Sequence, residues 1–374
     1  MKSLKIIFIR CVFTFLFSSS IVFAHDGAPT SVSGTIGSEG LKPIQADSHA
    51  PIGVMEEHTH KKGEWMLSYR YQHMSMQGNL IDDDEVTPEQ IVTTVANRFF
   101  GTPGQPPTLR VVPTDMSMEM HMFGGMFAPT DWLTLMVMGM YVEKSMDHIT
   151  FMGGAGTTRL GTFRTKSDGI GDTRVTGMFD VYHVGNHRIQ FNAGVSLPTG
   201  SITEKGTILT PMGGTPEVRL PYPMQLGSGT YDLLPGVVYS GNHDQWAWGT
   251  QYSGTIRAGE NGEDYSLGDK HMLTSWASYR WFNWLTTSVR IKGERLGKIN
   301  GIDAAIVAPV QTADPNNQGG ETLSVLFGIN LAGQTGALRG HRLALEAGFP
   351  VHQDLNGPQL ETDLVITAGW QYAF

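Results

Sequence analysis

Side chains able to bind a metal ion cluster in one short segment near the start of the chain. His49, Met55, His58 and His60 lie close together in sequence, and two glutamates separate Met55 from His58. A His-x-His pair on an extended segment places both rings on the same side, which gives two ligands for copper or zinc. Histidine pairs on exposed segments also bind metals only weakly. A solvated segment without a metal is therefore the alternative interpretation.

A second group of candidate ligands consists of methionines. Alternating apolar residues from position 133 onward predict a strand whose opposite face carries Met136, Met138 and Met140. If that face lies beside Glu119 and His121, the thioethers form a ladder suited to a soft ion such as Cu(I). The simpler alternative is that methionine, an adaptable apolar side chain, fills a constriction.

The preceding stretch, 115–128, also alternates with a period of two. Its methionines share one parity and its polar residues share the other, and the two sets are Met116, Met118, Met120 and Met122 against Ser117, Glu119 and His121. An apolar face next to lipid explains the methionines. We therefore predict that they point outward, and that Glu119 and His121 point inward.

Charged side chains on the predicted inner faces form the third candidate site. The complete lumen set is Arg70, Glu119, His121, Asp172, Arg174, Asp180, Asp232, Arg257, Arg290, Lys292 and Glu294. Such charges can select permeating solutes at a constriction. Alternatively, they pair with one another to satisfy a wet interior. No Ser–His pair shares a strand with a third orienting residue, so we predict no enzyme and no catalytic residue.

The elements that position these residues are strands. The final stretch, Leu360–Phe374, alternates apolar and polar residues strictly and ends on an aromatic residue. That ending is similar to the C-terminal signature of bacterial outer-membrane barrels, which the insertion machinery recognises. Phe374 is therefore predicted to contact that machinery, and the outer face of the strand to contact membrane lipid.

The whole of 63–374 contains about twelve such segments, joined by connections that alternate between long and short. The 46 glycines suit many turns, and no run of about eighteen apolar residues follows the first 24 residues. Thr87 and Pro88 predict the start of a short helix in the first long connection. These features predict an all-β fold, a transmembrane antiparallel up-and-down β-barrel of about twelve strands with long external loops.

The N-terminal region has a different composition. Residues 1–24 combine early basic residues with a short apolar run and end at Ala24, which predicts a signal peptide cleaved before His25. Residues 25–62 lack periodicity and predict a periplasmic arm containing His and Met, either loose or folded into the lumen. The only cysteine, Cys11, lies in the signal peptide. The formal net charge of −9 argues against a nucleic-acid partner.

Three stretches of the barrel carry a family resemblance. SDGIGDTRVTG at Ser167–Gly177, VSLPTGS at Val195–Ser201 and QLGSGTYDLLPGVVYSG at Gln225–Gly241 resemble the outer-membrane family labelled MetA-pathway of phenol degradation. The resemblance covers about 63–374 and implies an outer-membrane channel or transporter without catalytic residues. Its label describes gene neighbourhoods near aromatic degradation, so it carries no substrate over.

These observations lead to one leading function and two alternatives. We expect an outer-membrane channel of a Gram-negative bacterium that passes a small, weakly polar solute by passive diffusion, with aromatic solutes suggested by the resemblance alone. The first alternative is a metal-handling protein of the copper type that uses the His and Met residues of the arm and lumen. The second is a structural barrel that presents its external loops. No cofactor is expected, except copper or another soft metal under the first alternative.

Overall fold

The computed structural model describes residues 45–374, which form one closed antiparallel β-barrel with its connections. The predicted signal peptide, 1–24, and the first part of the predicted arm, 25–44, lie outside the described residues. Eleven strands pair edge to edge, and the first pairs with the last to close the ring. No helix within 45–374 has the length and apolar character needed to cross a membrane.

The barrel strands are, in chain order, β1 (Trp65–Asp82), β2 (Val111–Thr130), β3 (Leu133–Phe151), β4 (Thr173–Val184), β5 (His187–Leu197), β6 (Tyr231–His243), β7 (Trp246–Ala258), β8 (Lys270–Phe282), β9 (Leu285–Leu296), β10 (Gly320–Ala332) and β11 (His341–Ala373). Each pairs antiparallel with its neighbours in sequence order. The predicted fold class is confirmed.

The last strand, β11, is a hairpin whose two arms pair with each other. Its first arm pairs with β10 and its second with β1, in both cases antiparallel. Arg342 donates to Gln371 at 2.5 Å, and the Gln353 side chain exchanges two hydrogen bonds with the Thr362 backbone. Gly357 at the bend has a φ of +77°, a conformation that suits glycine. When the two arms of β11 are counted separately, the barrel wall contains twelve strand segments, in agreement with the predicted number of about twelve.

The strands alternate between a lipid-facing side and an inner side. In β1, Trp65 and Leu67 are about half exposed on the outside, whereas Ser68 and Arg70 are buried on the inside. At the short turns, four exposed tryptophans form an aromatic belt, namely Trp132, Trp246, Trp281 and Trp284. Indole rings favour the boundary between lipid and water, so this belt marks one edge of the membrane.

The long connections cover the opposite end of the barrel. The first contains helix α1 (Pro88–Thr94), which Thr87 caps as predicted. Ile91 and Val92 bury against the end of β3 at Phe151. Strand β1 extends to Asp82, and β2 starts at Val111, four residues before the predicted start at 115. Strands that project beyond the membrane need no apolar outer face, so their sequence lacks the lipid-facing signal.

The third strand pairs with two successive segments on one side. The half of β3 near the short turns pairs with β4, and the half near the long loops pairs with Arg159–Ile170. Gly171 and Asp172 separate these two segments. Asp172 holds the break because its carboxylate accepts from the Gly200 and Ser228 backbone N–H groups at 3.0 and 2.8 Å.

Arg110 is expected to fix the loop that follows β3. Its fully buried guanidinium donates to the carbonyls of Met152, Gly153 and Gly156 at 2.8, 3.0 and 2.8 Å. Arg110→Ala leaves those carbonyls without partners, so local opening of 152–158 should become easier. We expect a nonspecific protease to cut this loop about tenfold faster in folded protein.

A matched control is Arg98→Ala, which removes an exposed guanidinium paired with Asp314. Cleavage of 152–158 at equal rates in wild type and Arg110→Ala would show that the loop is held by other contacts.

Candidate functional site

The lumen contains the arm. Residues 45–62 start at the short-turn end, where the Ala46 N–H donates to Asn283 at 3.0 Å, and return to it, where the Gly63 N–H donates to Ala128 at 2.8 Å. Between these points the segment packs against inner-face residues, and Ala50 and Val54 contact Val238 and Trp276. We call residues 45–62 the lumen segment.

Inner-face amides bind the backbone of the lumen segment. Gln190 and Asn192 of β5 both donate to the Glu56 carbonyl, at 2.7 and 2.8 Å, and Gln251 of β7 donates to the Met55 carbonyl at 2.7 Å. Buried carbonyls require such partners. The polar residues inside the barrel thus hold a polypeptide segment at this level.

A buried ion pair contacts the lumen segment at Gly53. Arg290 of β9 donates two hydrogen bonds to Glu346 of β11, at 2.8 and 2.7 Å, and both side chains are almost fully buried. The Gly53 N–H donates to the same carboxylate at 3.0 Å. A Cβ atom at Gly53 would overlap Glu346 Oε2 and Arg290 Nη2, so any other residue there requires this buried pair to shift.

Most of the predicted lumen charges have charged partners. Besides Arg290, Asp232 pairs with Arg257 at 2.5 Å, and Asp180 pairs with Arg188 at 2.9 Å. Glu294 forms ion pairs with two lysines, Lys270 at 3.0 Å and Lys292 at 3.6 Å. Sequence reasoning missed the partners Arg188, Lys270 and Glu346 because cross-strand register decides which inward charges meet.

Two inward arginines face the carboxylates of the lumen segment instead. Arg70 and Arg174 are electrostatic partners of Glu56, and Arg70 also of Glu57. Burial raises the pKa of Glu56, which Arg174, the Thr176 hydroxyl and Arg70 partly offset. Among the described ion pairs, neither Arg70 nor Arg174 has a carboxylate partner on the barrel wall. The lumen segment therefore supplies the carboxylates that these two arginines face.

The predicted orientation of β2 is wrong. Met122 and Met126 are buried inside with Met136 and Met138 of β3, whereas Phe123 is 59 % exposed. The apolar parity faces inward because the interior at this level is packed with the lumen segment and further methionines rather than water. Met140 packs against the edge of this cluster.

Glu119 and His121 consequently lie on the outer face of the barrel. His121 Nδ1 hydrogen-bonds the Tyr69 hydroxyl at 2.8 Å, and Glu119 lies 3.8 Å from His73. The predicted ladder that combines them with Met136, Met138 and Met140 is not formed, since these methionines point the other way.

The lumen segment brings together three of its candidate ligands, namely His49, His58 and His60. His49 and His58 contact each other and Glu57, which the sequence analysis did not name as a ligand, and the His60 ring lies 4.9 Å from the His58 ring. Burial lowers the pKa of His58 and of His60 to about 4 and also lowers that of His49. All three imidazoles are neutral at pH 7. Met55 points elsewhere and packs against the methionine cluster.

A cavity of about 540 Å³ lies at the long-loop end, and sequence reasoning did not find it. Its walls come from strand ends and four loop regions, with mainly apolar side chains that include Val111, Phe163, Ile208, Pro216, Val218, Ile306 and Val310. His148 of β3 stacks on Phe163 with ring centroids 4.6 Å apart, and its Nδ1 is buried without a hydrogen-bond partner. The cavity thus offers an apolar wall with an aromatic face.

Solved structures share this architecture. An outer membrane channel from Pseudomonas putida F1 superimposes with a TM-score of 0.53 at 13% identity, over 86% of this chain and 99% of that one. A Pseudomonas aeruginosa FadL homologue gives 0.42 at 11% identity, over 83% and 90%. The toluene transporter TodX of Pseudomonas putida gives 0.39 at 8% identity, over 84% and 90%.

No protein-family model matches the sequence, and no curated protein matches it either. At these identities the similarity concerns the fold, and the protein is an outer-membrane β-barrel. The phenol-degradation family suggested by three sequence stretches stays a resemblance.

Proposed function

We propose that this barrel is a channel that passes small hydrophobic or weakly polar solutes, aromatic ones among them, across the outer membrane by passive diffusion. The observation that carries the proposal is the apolar cavity at the long-loop end. In barrels of this type the long loops face the exterior, so the cavity lies where an incoming solute arrives first.

The chemistry of the cavity favours an aromatic or other apolar solute. Its size is within the range of about 300–1,000 Å³ that is typical of ligand cavities. The stacked pair His148–Phe163 offers a flat ring surface on which a planar molecule can pack. The fold similarity to an outer membrane channel supports a channel, and aromatic solutes are suggested by the family resemblance alone.

The lumen segment divides the route into two parts. It fills the barrel at the short-turn end, while the cavity lies at the long-loop end. Hydrated ions and sugars would need a continuous wet path, which the segment interrupts. We therefore infer selectivity for solutes that partition into apolar surfaces.

Filling the cavity tests this proposal. Ile208→Trp should place an indole inside it and lower the uptake of a labelled monoaromatic hydrocarbon by cells that carry the protein in their outer membrane. We expect about a tenfold loss, which equals about 1.4 kcal/mol of lost binding. Initial uptake rates at equal protein abundance are the measurement.

The matched control is Ile170→Trp, the same change at a 64 % exposed site that does not line the cavity. Equal uptake in both variants and wild type would refute a role for the cavity. Uptake no faster than in cells without the protein would refute the channel itself.

A further inference from the structure

Three potential ligand atoms converge inside the lumen segment. His58 Nδ1 lies 2.8 Å from Glu57 Oε1, and His49 Nδ1 lies 3.4 Å from that oxygen and 3.4 Å from His58 Nδ1. An ion with tetrahedral bonds of about 2.0–2.1 Å holds its ligand atoms about 3.4 Å apart. The triangle thus has nearly the dimensions of one face of such a site, before any ion draws the atoms into place.

The surroundings of the triangle are dry. The side chains of His49, Glu57 and His58 are 9%, 7% and 10% exposed, so water is largely excluded. Nearby, His60 Nε2 is buried without a hydrogen-bond partner. An unpaired buried polar atom is costly, and a ligand that binds it removes the cost.

His60 lies next to the triangle, with its ring centroid 4.9 Å from that of His58. Its Nδ1 lies 3.6 Å from Glu64 Oε2, and its Nε2 is buried without a hydrogen-bond partner. A carboxylate beside one ring nitrogen is common among metal-binding histidines.

We propose that His49, Glu57 and His58, joined by His60, bind one divalent transition-metal ion of the zinc–copper class inside the barrel. Imidazole nitrogens with one carboxylate suit both ions. The ion would tie position 49 to positions 57–60 and so close the lumen segment into a loop. The metal would thereby fix the segment that obstructs the lumen, a role separate from solute passage.

Metal binding by the folded protein tests the site. The full mature chain, refolded in detergent micelles without an affinity tag and freed of metal with a chelator, is titrated with Zn²⁺ and separately with Cu²⁺ by calorimetry. We expect one high-affinity equivalent per chain for at least one ion. His58→Ala and Glu57→Gln should each weaken that binding about 100-fold or more.

The control is His243→Ala, which removes an exposed histidine beside Asp244 at a short turn and should leave the affinity unchanged. Wild type that binds neither ion would overturn the proposal and leave the cluster as hydrogen bonds alone. High-affinity binding that survives His58→Ala and Glu57→Gln would overturn it too, because the ion would then bind elsewhere.

Discussion

Gly53→Leu is expected to expel the lumen segment from the barrel. The leucine side chain would overlap the buried Arg290–Glu346 pair, and a shift of this pair would disturb its hydrogen bonds to each other and to the Gly53 N–H. Residues 25–374 contain no cysteine, so Ala50→Cys, at a site 5% exposed, provides a specific reporter. We expect maleimide labelling of that cysteine to rise about tenfold or more in the Gly53→Leu background, and ion conductance in planar bilayers to rise several-fold.

Gly262→Leu is the matched control, because a Cβ there meets no other atom within 4 Å. It should change neither labelling nor conductance. If Gly53→Leu also leaves both unchanged, the segment accommodates a side chain at position 53 and the close approach has no mechanical role.

Removing one partner of the buried pair should destabilise the barrel strongly. Glu346→Ala leaves the Arg290 guanidinium buried without its carboxylate and removes the acceptor of the Gly53 N–H. Breaking a buried pair in this way typically costs about 3–5 kcal/mol. We expect a decrease of about that size in the free energy of unfolding, measured by urea titration in lipid vesicles.

Replacing both Arg290 and Glu346 distinguishes the cost of an unpaired buried charge from the stabilisation that the pair itself provides. In Arg290→Met with Glu346→Leu no uncompensated charge is left, and the loss should be at most about 1–2 kcal/mol. A double variant as unstable as Glu346→Ala would show that the pair stabilises the barrel through its own hydrogen bonds rather than by cancelling charge.

The architecture was predictable because lipid and lumen impose opposite requirements on alternate residues. In β9, Val289 and Ile291 lie outside and Arg290 lies inside, as a period of two predicts. The helix start at Thr87 was predictable for a local reason, since its hydroxyl caps the Gln90 N–H within four residues.

The site was less predictable because it depends on contacts distant in sequence. Met122 was assigned to lipid by a rule that assumes a wet interior, but it is buried inside with other methionines and Met55 of the lumen segment. Glu346 lies in a stretch that alternates with a period of two, but no neighbouring residue in the sequence indicates that its side chain contacts both Arg290 and Gly53. The outer cavity joins residues from 104 to 310, and no local pattern predicts such an assembly.

The position of the lumen segment also sets an order of folding. Its partners lie on opposite walls of the barrel, and its contacts span up to 293 residues of chain, as between Gly53 and Glu346. Contacts this distant require loop closure before they return any stabilisation. The ring itself closes only when β1 meets the second arm of β11. Residues 45–62, near the beginning of the chain, therefore have no complete binding surface until its end is in place.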